Sequence, residues 1–287
     1  MKKLNIILSI LLFCFISCKE SPEKKSEIEK QELSKPLMDY EDLISDYDKW
    51  WSYHYNEISL VLDFEALNEK SEKISKEKFL KKLISGNFIT IEVQSNDSSS
   101  TYKLFNLPKK LENGISNTIK NDSYRAFKLY KMEGNKFPDF KAVDINGIEY
   151  NNEKFKGKTT VIKTWFIACK PCIAEMPELN RLVDNYKNNN LQFLSLAQDD
   201  KEALISFLKR NEFKYDVLPN QEHLIENELN LTAYPTHLIV NKKGIIEKVF
   251  DKASGVISYI DQDYLLINDK KTNSTPPAPP APPAPPR

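Results

Sequence analysis

The segment Trp165-Phe166-Ile167-Ala168-Cys169-Lys170-Pro171-Cys172 joins an apolar run to a helical pattern, and the rest of the chain is arranged around this junction. The apolar run, residues 159–167, is rich in β-branched and aromatic residues and predicts a buried strand. A thiol at the start of a helix is stabilised as the thiolate by unpaired N–H groups and by the helix dipole. Cys172 follows Cys169 by one turn, within reach of a disulfide. The pair predicts a dithiol redox site.

Both ends of the chain have a non-globular composition. Residues 1–17 combine a basic start with a short apolar run, which indicates an export signal too short to span a membrane. The residues around Cys18 resemble a bacterial lipoprotein processing site, and this resemblance implies a lipid on Cys18; a plain secretory signal is the alternative. Residues 18–36 are charged and predict a flexible tether. Residues 269–287 are rich in proline and predict a disordered tail.

Charge and cysteine content narrow the function classes. The chain has 41 basic and 41 acidic residues, so its formal net charge of zero argues against a nucleic-acid partner. Cys14 would leave with the signal and Cys18 would be acylated, which leaves Cys169 and Cys172 as thiols. In an exported protein, a lone close pair is either a small structural loop or a redox centre.

Residues 37–133 predict a small α+β region without a catalytic motif. Its aromatic residues near Trp50 are expected to be core rather than a binding face. The pattern predicts helices over 39–67, 76–84 and 115–132, and strands over 88–94 and 101–107 joined by a polar turn at 96–100.

Residues 134–268 predict an α/β domain with a mixed central sheet flanked by helices. It opens with a hairpin around Asn146-Gly147 and continues with alternating strands and helices. After the cysteine helix, which is expected to reach Tyr186, the pattern predicts strands over 191–197, 215–218, 236–240 and 245–250, and helices over 199–210, 220–229 and 255–267.

Four segments together resemble the TlpA/ResA-like extracytoplasmic thiol-disulfide oxidoreductases of the thioredoxin superfamily. They are Phe137-Pro138-Asp139-Phe140, the run 165–172, Glu175-Met176-Pro177-Glu178-Leu179 and Tyr234-Pro235-Thr236. The resemblance covers residues 134–267 and implies a thioredoxin-like fold. It also implies a membrane-anchored reductase of exported disulfide-bonded proteins on the periplasmic side, supplied by an upstream membrane electron donor. No cofactor or metal is implied beyond the cysteine pair itself.

The resemblance assigns roles to individual residues. Cys169 is expected to attack and Cys172 to resolve the mixed disulfide. Pro177 is expected to kink the cysteine helix. Glu175 matches an acidic residue near the disulfide that can relay a proton. The substrate-binding side is expected to include a cis-proline at Pro235, and its residues would be Trp165, Tyr234, Pro235 and Thr236.

Two residues depart from the thioredoxin pattern. Ala168 stands where a tryptophan usually precedes the first cysteine, so substrate docking is expected to differ. Lys163 stands where thioredoxins bury an acid, and a buried lysine costs free energy unless it is paired. The hypothesis is that Lys163 approaches Glu175 and that this pair replaces the buried acid as the proton manager.

Three other functions fit parts of the sequence. A peroxiredoxin would share the fold, but Ile162 and Phe166 stand where its motif has proline and threonine or serine. A zinc site would need His223 and His237 beside the two cysteines, and no second close ligand pair is present. A non-enzymatic lipoprotein would bind partners through its N-terminal region.

Overall fold

The computed structural model describes residues 35–95, 99–108, 114–186 and 190–272, with side chains described up to residue 262. The export signal, Cys18, nearly all of the tether, most of the Pro-rich tail and part of the predicted turn at 96–100 lie outside these residues. No helix within the described ranges combines the length and apolar character needed to cross a membrane.

The first part of the chain forms a four-stranded sheet covered by helices. The strand order is β2-β1-β4-β3, with β1 parallel to β4 and the other neighbours antiparallel. Its elements are α1 (Tyr40–Ile44), α2 (Tyr47–Glu57), β1 (Glu65–Leu67), β2 (Lys73–Ile74), α3 (Lys76–Ile84), β3 (Phe88–Glu92), β4 (Thr101–Asn106) and α4 (Ile115–Met132).

The prediction of one helical pattern over residues 39–67 was wrong beyond Glu57. Two N-caps start separate helices, because the Asp39 side chain accepts the Asp42 N–H and the Asp46 side chain accepts the Lys49 N–H. The chain then extends and enters β1 beside β4. The α3 helix is confirmed, with Ser75 as its N-cap. Its C-cap is Ser85, and Gly86 follows with a left-handed φ of +72°.

The second part of the chain forms a five-stranded mixed sheet, as predicted. The strand order is β11-β10-β7-β8-β9, in which β7, β8 and β9 are parallel and β10 and β11 are antiparallel to their neighbours. Its elements, after a hairpin of β5 (Lys141–Val143) and β6 (Glu149–Asn151), are β7 (Thr159–Trp165), α5 (Lys170–Ala174), α6 (Met176–Tyr186), β8 (Leu191–Ala197), α7 (Lys201–Leu208), β9 (Asp216–Leu218), β10 (Thr236–Val240), β11 (Ile246–Phe250) and α8 (Ala253–Thr272).

Three predicted helices differ from the observed ones. The cysteine helix is divided at Glu175, because Pro177 in the following turn has no N–H to continue the ladder. The helix predicted over 220–229 is shortened to a π-helical turn at Leu224–Glu228. The final helix reaches Thr272, so it extends past the predicted domain end at 268 and into the first residues of the predicted tail.

One apolar core connects the two sheets. Ile119 and Leu129 of α4 belong to the same buried cluster as Leu238 and Ile246 of the second sheet. Trp50 and Tyr53 are buried in this cluster, as predicted for the aromatic residues of this segment, whereas Tyr55 is 56% exposed and the prediction is wrong for it. The N-terminal region is therefore packed against the second sheet, with α4 next to β11.

Candidate active site

The two cysteines form a disulfide at the start of α5. Their Cα atoms are 5.3 Å apart. Cys169 is the N-cap residue, and its sulfur accepts the N–H of Cys172 at 3.3 Å. The Cys169 residue keeps 5% of its surface exposed, whereas Cys172 is fully buried. Cys169 is therefore the more accessible of the two residues, and in the reduced protein the same N–H would stabilise its thiolate.

The loop between β7 and α5 is held from the neighbouring strand end. Asp199, just beyond β8, accepts the N–H of Ile167 at 2.8 Å. The N–H of Gln198 donates to the carbonyl of Trp165 at 3.2 Å. Because β7 and β8 are parallel, their carboxyl ends meet at one edge of the sheet. These two hydrogen bonds therefore fix the loop that leads to Cys169.

A cis peptide bond between Tyr234 and Pro235 lies beside the disulfide loop. The Tyr234 ring meets the Phe166 ring edge-on, with 5.3 Å between centroids. Thr236, the first residue of β10, pairs with Thr164 of β7, and its N–H donates to the Thr164 hydroxyl at 3.2 Å. The predicted cis-proline is confirmed. Its loop is anchored to the strand that leads to Cys169.

Trp165, one of the four predicted substrate-binding residues, has a fully buried side chain, which corrects the prediction for this residue. Trp165 has no exposed surface and packs against Phe207 and Phe213. Thr236 is 1% exposed, and its hydroxyl donates to the carbonyl of Ala233 at 2.8 Å. Trp165 alternates inward on the strand, so its side chain supports the cysteine helix from below instead of meeting a substrate. Thr236 shapes the cis-proline loop.

Lys163, Glu175 and His237 form a buried cluster. The Lys163 ammonium donates to Glu175 Oε2 at 2.6 Å, as the sequence hypothesis expected. His237 Nε2 lies 3.1 Å from the same oxygen. The Lys163 and His237 side chains are fully buried, and that of Glu175 is 14% exposed. The cluster therefore joins β7, β10 and the break between α5 and α6.

Burial and ion pairing oppose each other in this cluster. Burial raises the pKa of Glu175, but the hydrogen bond from His237, the charge of that imidazole when it is protonated, and the charge and hydrogen bond of Lys163 outweigh it and lower that pKa to about 2. Burial lowers the pKa of Lys163, although Glu175 opposes this shift. Burial also lowers the pKa of His237, against the hydrogen bond to Glu175. Near neutral pH the cluster thus holds a carboxylate, an ammonium and a neutral imidazole.

The geometry fixes the proton on the imidazole. An ionised carboxylate only accepts, so Nε2 of His237 carries the hydrogen. Nδ1 is then an acceptor, and it has no partner in the described part of the structure. The other oxygen of Glu175, Oε1, accepts the N–H of Ala253 at the start of α8 at 2.9 Å. Both carboxylate oxygens are therefore occupied by protein donors.

His237 is the cluster member that sequence reasoning missed. It was considered only as a zinc ligand, whereas the antiparallel register of β7 and β10 places it directly opposite Lys163. The available signal was that His237 is the second residue of the strand that follows Pro235, a strand expected in the same sheet as Lys163. Within the described ranges, no group of three or more His, Cys, Asp or Glu side chains is arranged to hold a metal ion.

Comparisons with known proteins cover the second part of the chain. The model of the AhpC/TSA family matches residues 134–249. The thiol-disulfide oxidoreductase ResA of Bacillus cereus is 30% identical over 122 residues, which cover 42% of this chain and 70% of that protein. The thioredoxin-like protein YneN of Bacillus subtilis is 27% identical over 122 residues, which cover 41% of this chain and 71% of that protein.

Among solved structures, the thioredoxin domain of a Bacteroides vulgatus thiol-disulfide oxidoreductase aligns with a TM-score of 0.42 and 16% identity, covering 45% of this chain and 96% of that one. The ResA relative is a thiol-disulfide oxidoreductase, so the peroxiredoxin alternative is not favoured. The chain therefore belongs to the ResA/TlpA-like thiol-disulfide oxidoreductases of the thioredoxin superfamily.

Proposed function

We propose that this oxidoreductase reduces disulfides of exported proteins, with Cys169 as the attacking thiol and Cys172 as the resolving thiol. The observation that carries the proposal is the Cys169–Cys172 disulfide at the start of α5, in which Cys169 keeps some exposed surface and Cys172 has none. Unequal access gives the two sulfurs separate tasks, because the substrate disulfide can meet only the outer one.

The exchange proceeds in two balanced steps. The Cys169 thiolate attacks one sulfur of the substrate disulfide, forms a mixed disulfide and releases the other sulfur as a thiolate. The Cys172 thiol then loses its proton and attacks the sulfur of Cys169, which releases the second substrate thiolate. The substrate gains two electrons, the two thiolates take up protons, and the protein ends with the disulfide seen in the structure.

In this proposal Lys163 and Glu175 manage the proton of Cys172. Glu175 follows Cys172 by one turn, and burial lowers the pKa of Lys163, so its ammonium holds a proton less tightly than an exposed lysine. Both oxygens of Glu175 already accept hydrogen bonds, so a proton that moves to or from Cys172 would involve the hydrogen-bonded cluster as a whole. A Lys163→Met variant tests this. An unchanged Cys172 titration and an unchanged exchange rate would contradict it.

The proposed setting is extracytoplasmic, with a lipid on Cys18 holding the protein at the membrane on the periplasmic side. A dithiol donor in the membrane would return the protein to its reduced state. The electrons are carried by the cysteine pair, so the proposal includes no separate cofactor and no metal.

Trapping of mixed disulfides tests the proposal. A Cys172→Ser variant keeps the attacking thiol but cannot resolve, so it should accumulate mixed disulfides with exported proteins on non-reducing gels. A Cys169→Ser variant is the matched control and should trap far fewer. Equal, near-zero trapping by both variants would favour the non-enzymatic binding lipoprotein.

The direction of exchange is tested by the reduction potential of the cysteine couple, measured against glutathione. A potential near the roughly −270 mV of thioredoxin supports a reductase. A value near the roughly −120 mV of DsbA would reverse the direction and make the protein an oxidant.

A further inference from the structure

A cleft of about 410 Å³ lies between helix α4 of the N-terminal region and the chain segment 229–233; we refer to it as the α4 cleft. The segment leads directly into Tyr234 and the cis-proline. The walls of the cleft are largely apolar and include Phe127, Leu129, Met132, Leu229, Leu231 and Ala233. The N-terminal region and the redox domain thus build this surface together.

The α4 cleft continues the surface beside the disulfide. Ala233 lines the cleft, and the next residue, Tyr234, meets the ring of Phe166 three residues before Cys169. Thr236 lines the cleft from the other side of the cis-proline. A polypeptide whose disulfide is at Cys169 and which runs over Tyr234 would therefore meet the cleft next.

The rim of the α4 cleft carries a surplus of positive charge. Three cationic side chains of α4 line it, Arg125, Lys128 and Lys131, against one carboxylate, Asp251. Arg125 pairs with Asp251 at 3.1 Å. The Lys128 ammonium donates to the neutral side-chain oxygen of Asn230 at 3.2 Å, so this bond does not cancel its charge. Lys131 lies 4.0 Å from Glu77.

We propose that the α4 cleft is a second docking site for the protein substrate and takes an apolar segment flanked by Asp or Glu next to the target cysteine. The inference rests on the proposed function and gives the N-terminal region a role in substrate selection. Two observations select this occupant: the cleft continues the cis-proline loop, and its rim complements an acidic segment.

The test compares two synthetic peptides, each with one cysteine linked to glutathione. Leu-Glu-Phe-Glu flanks the cysteine on both sides in one peptide, and Leu-Lys-Phe-Lys flanks it in the other. The reduced full chain should reduce the acidic peptide faster. Lys128→Glu should weaken that preference by up to roughly fivefold, the factor for a surface charge pair, and salt should weaken it too.

Lys120→Glu is the matched control, because Lys120 lies on the same helix outside the cleft. It should leave the preference unchanged. Reduction of hydroxyethyl disulfide, which is too small to reach the cleft, should be equal in all three proteins. If the wild type cannot reduce hydroxyethyl disulfide, the proposed reductase function itself is overturned, whatever the peptide results.

If that small disulfide is reduced but the wild type shows no preference, or Lys128→Glu retains the preference, the docking site alone is overturned. Dimerisation of the full chain that is lost in Lys128→Glu, without any peptide preference, would assign the cleft to a second copy and would also overturn it.

Discussion

Replacing Lys163 with methionine should destabilise the protein by leaving a buried carboxylate without its cation. The Lys163 ammonium lies 2.6 Å from Glu175 Oε2 and helps to lower the pKa of this carboxyl from 4.5 to about 2. Removing one partner of a buried ion pair costs roughly 3–5 kcal/mol, because the other charge is left without compensation. His237 and the Ala253 amide remain in the variant. We therefore expect Lys163→Met to lose about 3 kcal/mol at pH 7, the lower end of that range.

The pH dependence separates this cause from a simple packing defect. A carboxylate with a lowered folded pKa stabilises above the unfolded value, and this stabilisation is lost as pH falls from about 4.5 through about 2. Without Lys163 the pKa of Glu175 should rise, so the variant loses less stability on acidification. The gap between the two proteins in urea unfolding should therefore narrow from pH 7 to pH 3.

An exposed pair provides the matched control for Lys163→Met. Lys136 and Asp139 form an ion pair of 2.9 Å with both side chains mostly exposed. Lys136→Met should change the unfolding free energy by less than about 0.5 kcal/mol. A loss of the same small size in Lys163→Met, or a loss that stays constant down to pH 3, would refute the reasoning.

Three further outcomes are expected. His237→Gln should raise the pKa of Glu175 and shift the reduction potential of the cysteine couple between pH 6 and 8, whereas the exposed His223→Gln should not. Tyr234→Ala should raise KM for a peptide disulfide and leave exchange with hydroxyethyl disulfide unchanged. Burial lowers the pKa of Lys76 to about 8, so the unfolding free energy should rise more steeply between pH 8 and 10.5 in the wild type than in Lys76→Met.

The local sequence pattern was sufficient to predict strands of the redox domain. The predicted spans of β8 and β10 match the observed ones residue for residue, because both are short apolar runs bounded by polar turns. The prediction failed where pairing with a distant strand decides the outcome. Residues 65–67 become β1, which pairs with the two-residue β2 and with the distant β4, and no residue near Leu67 indicates that second partner.

The candidate site was predictable to the extent that its residues are close in sequence. Cys169, Cys172 and Glu175 follow from spacing on one helix, and the structure brings Lys163 to Glu175 as expected. His237 was missed because it depends on the register of β7 against β10, which the sequence pattern does not specify. The misplaced role of Trp165 has a related cause, since a motif names residues without showing which of their side chains are buried.

The neighbours of the Lys163–Glu175 pair determine which position carries the negative charge. Exchanging the two residues shows the reason. Exchanging the two residues keeps one ammonium and one carboxylate, yet a lysine at 175 cannot accept the N–H of Ala253 or the Nε2 hydrogen of His237. An unpaired buried donor costs about 1–3 kcal/mol.

The neutral double variant Lys163→Met/Glu175→Gln retains one acceptor for these donors and contains no buried charge. It should therefore be more stable in urea unfolding at pH 7 than Lys163→Glu/Glu175→Lys. A swapped variant that equals or exceeds the neutral one would show that the Coulombic attraction alone holds the cluster. The sign of the buried charge at position 163 would then be arbitrary.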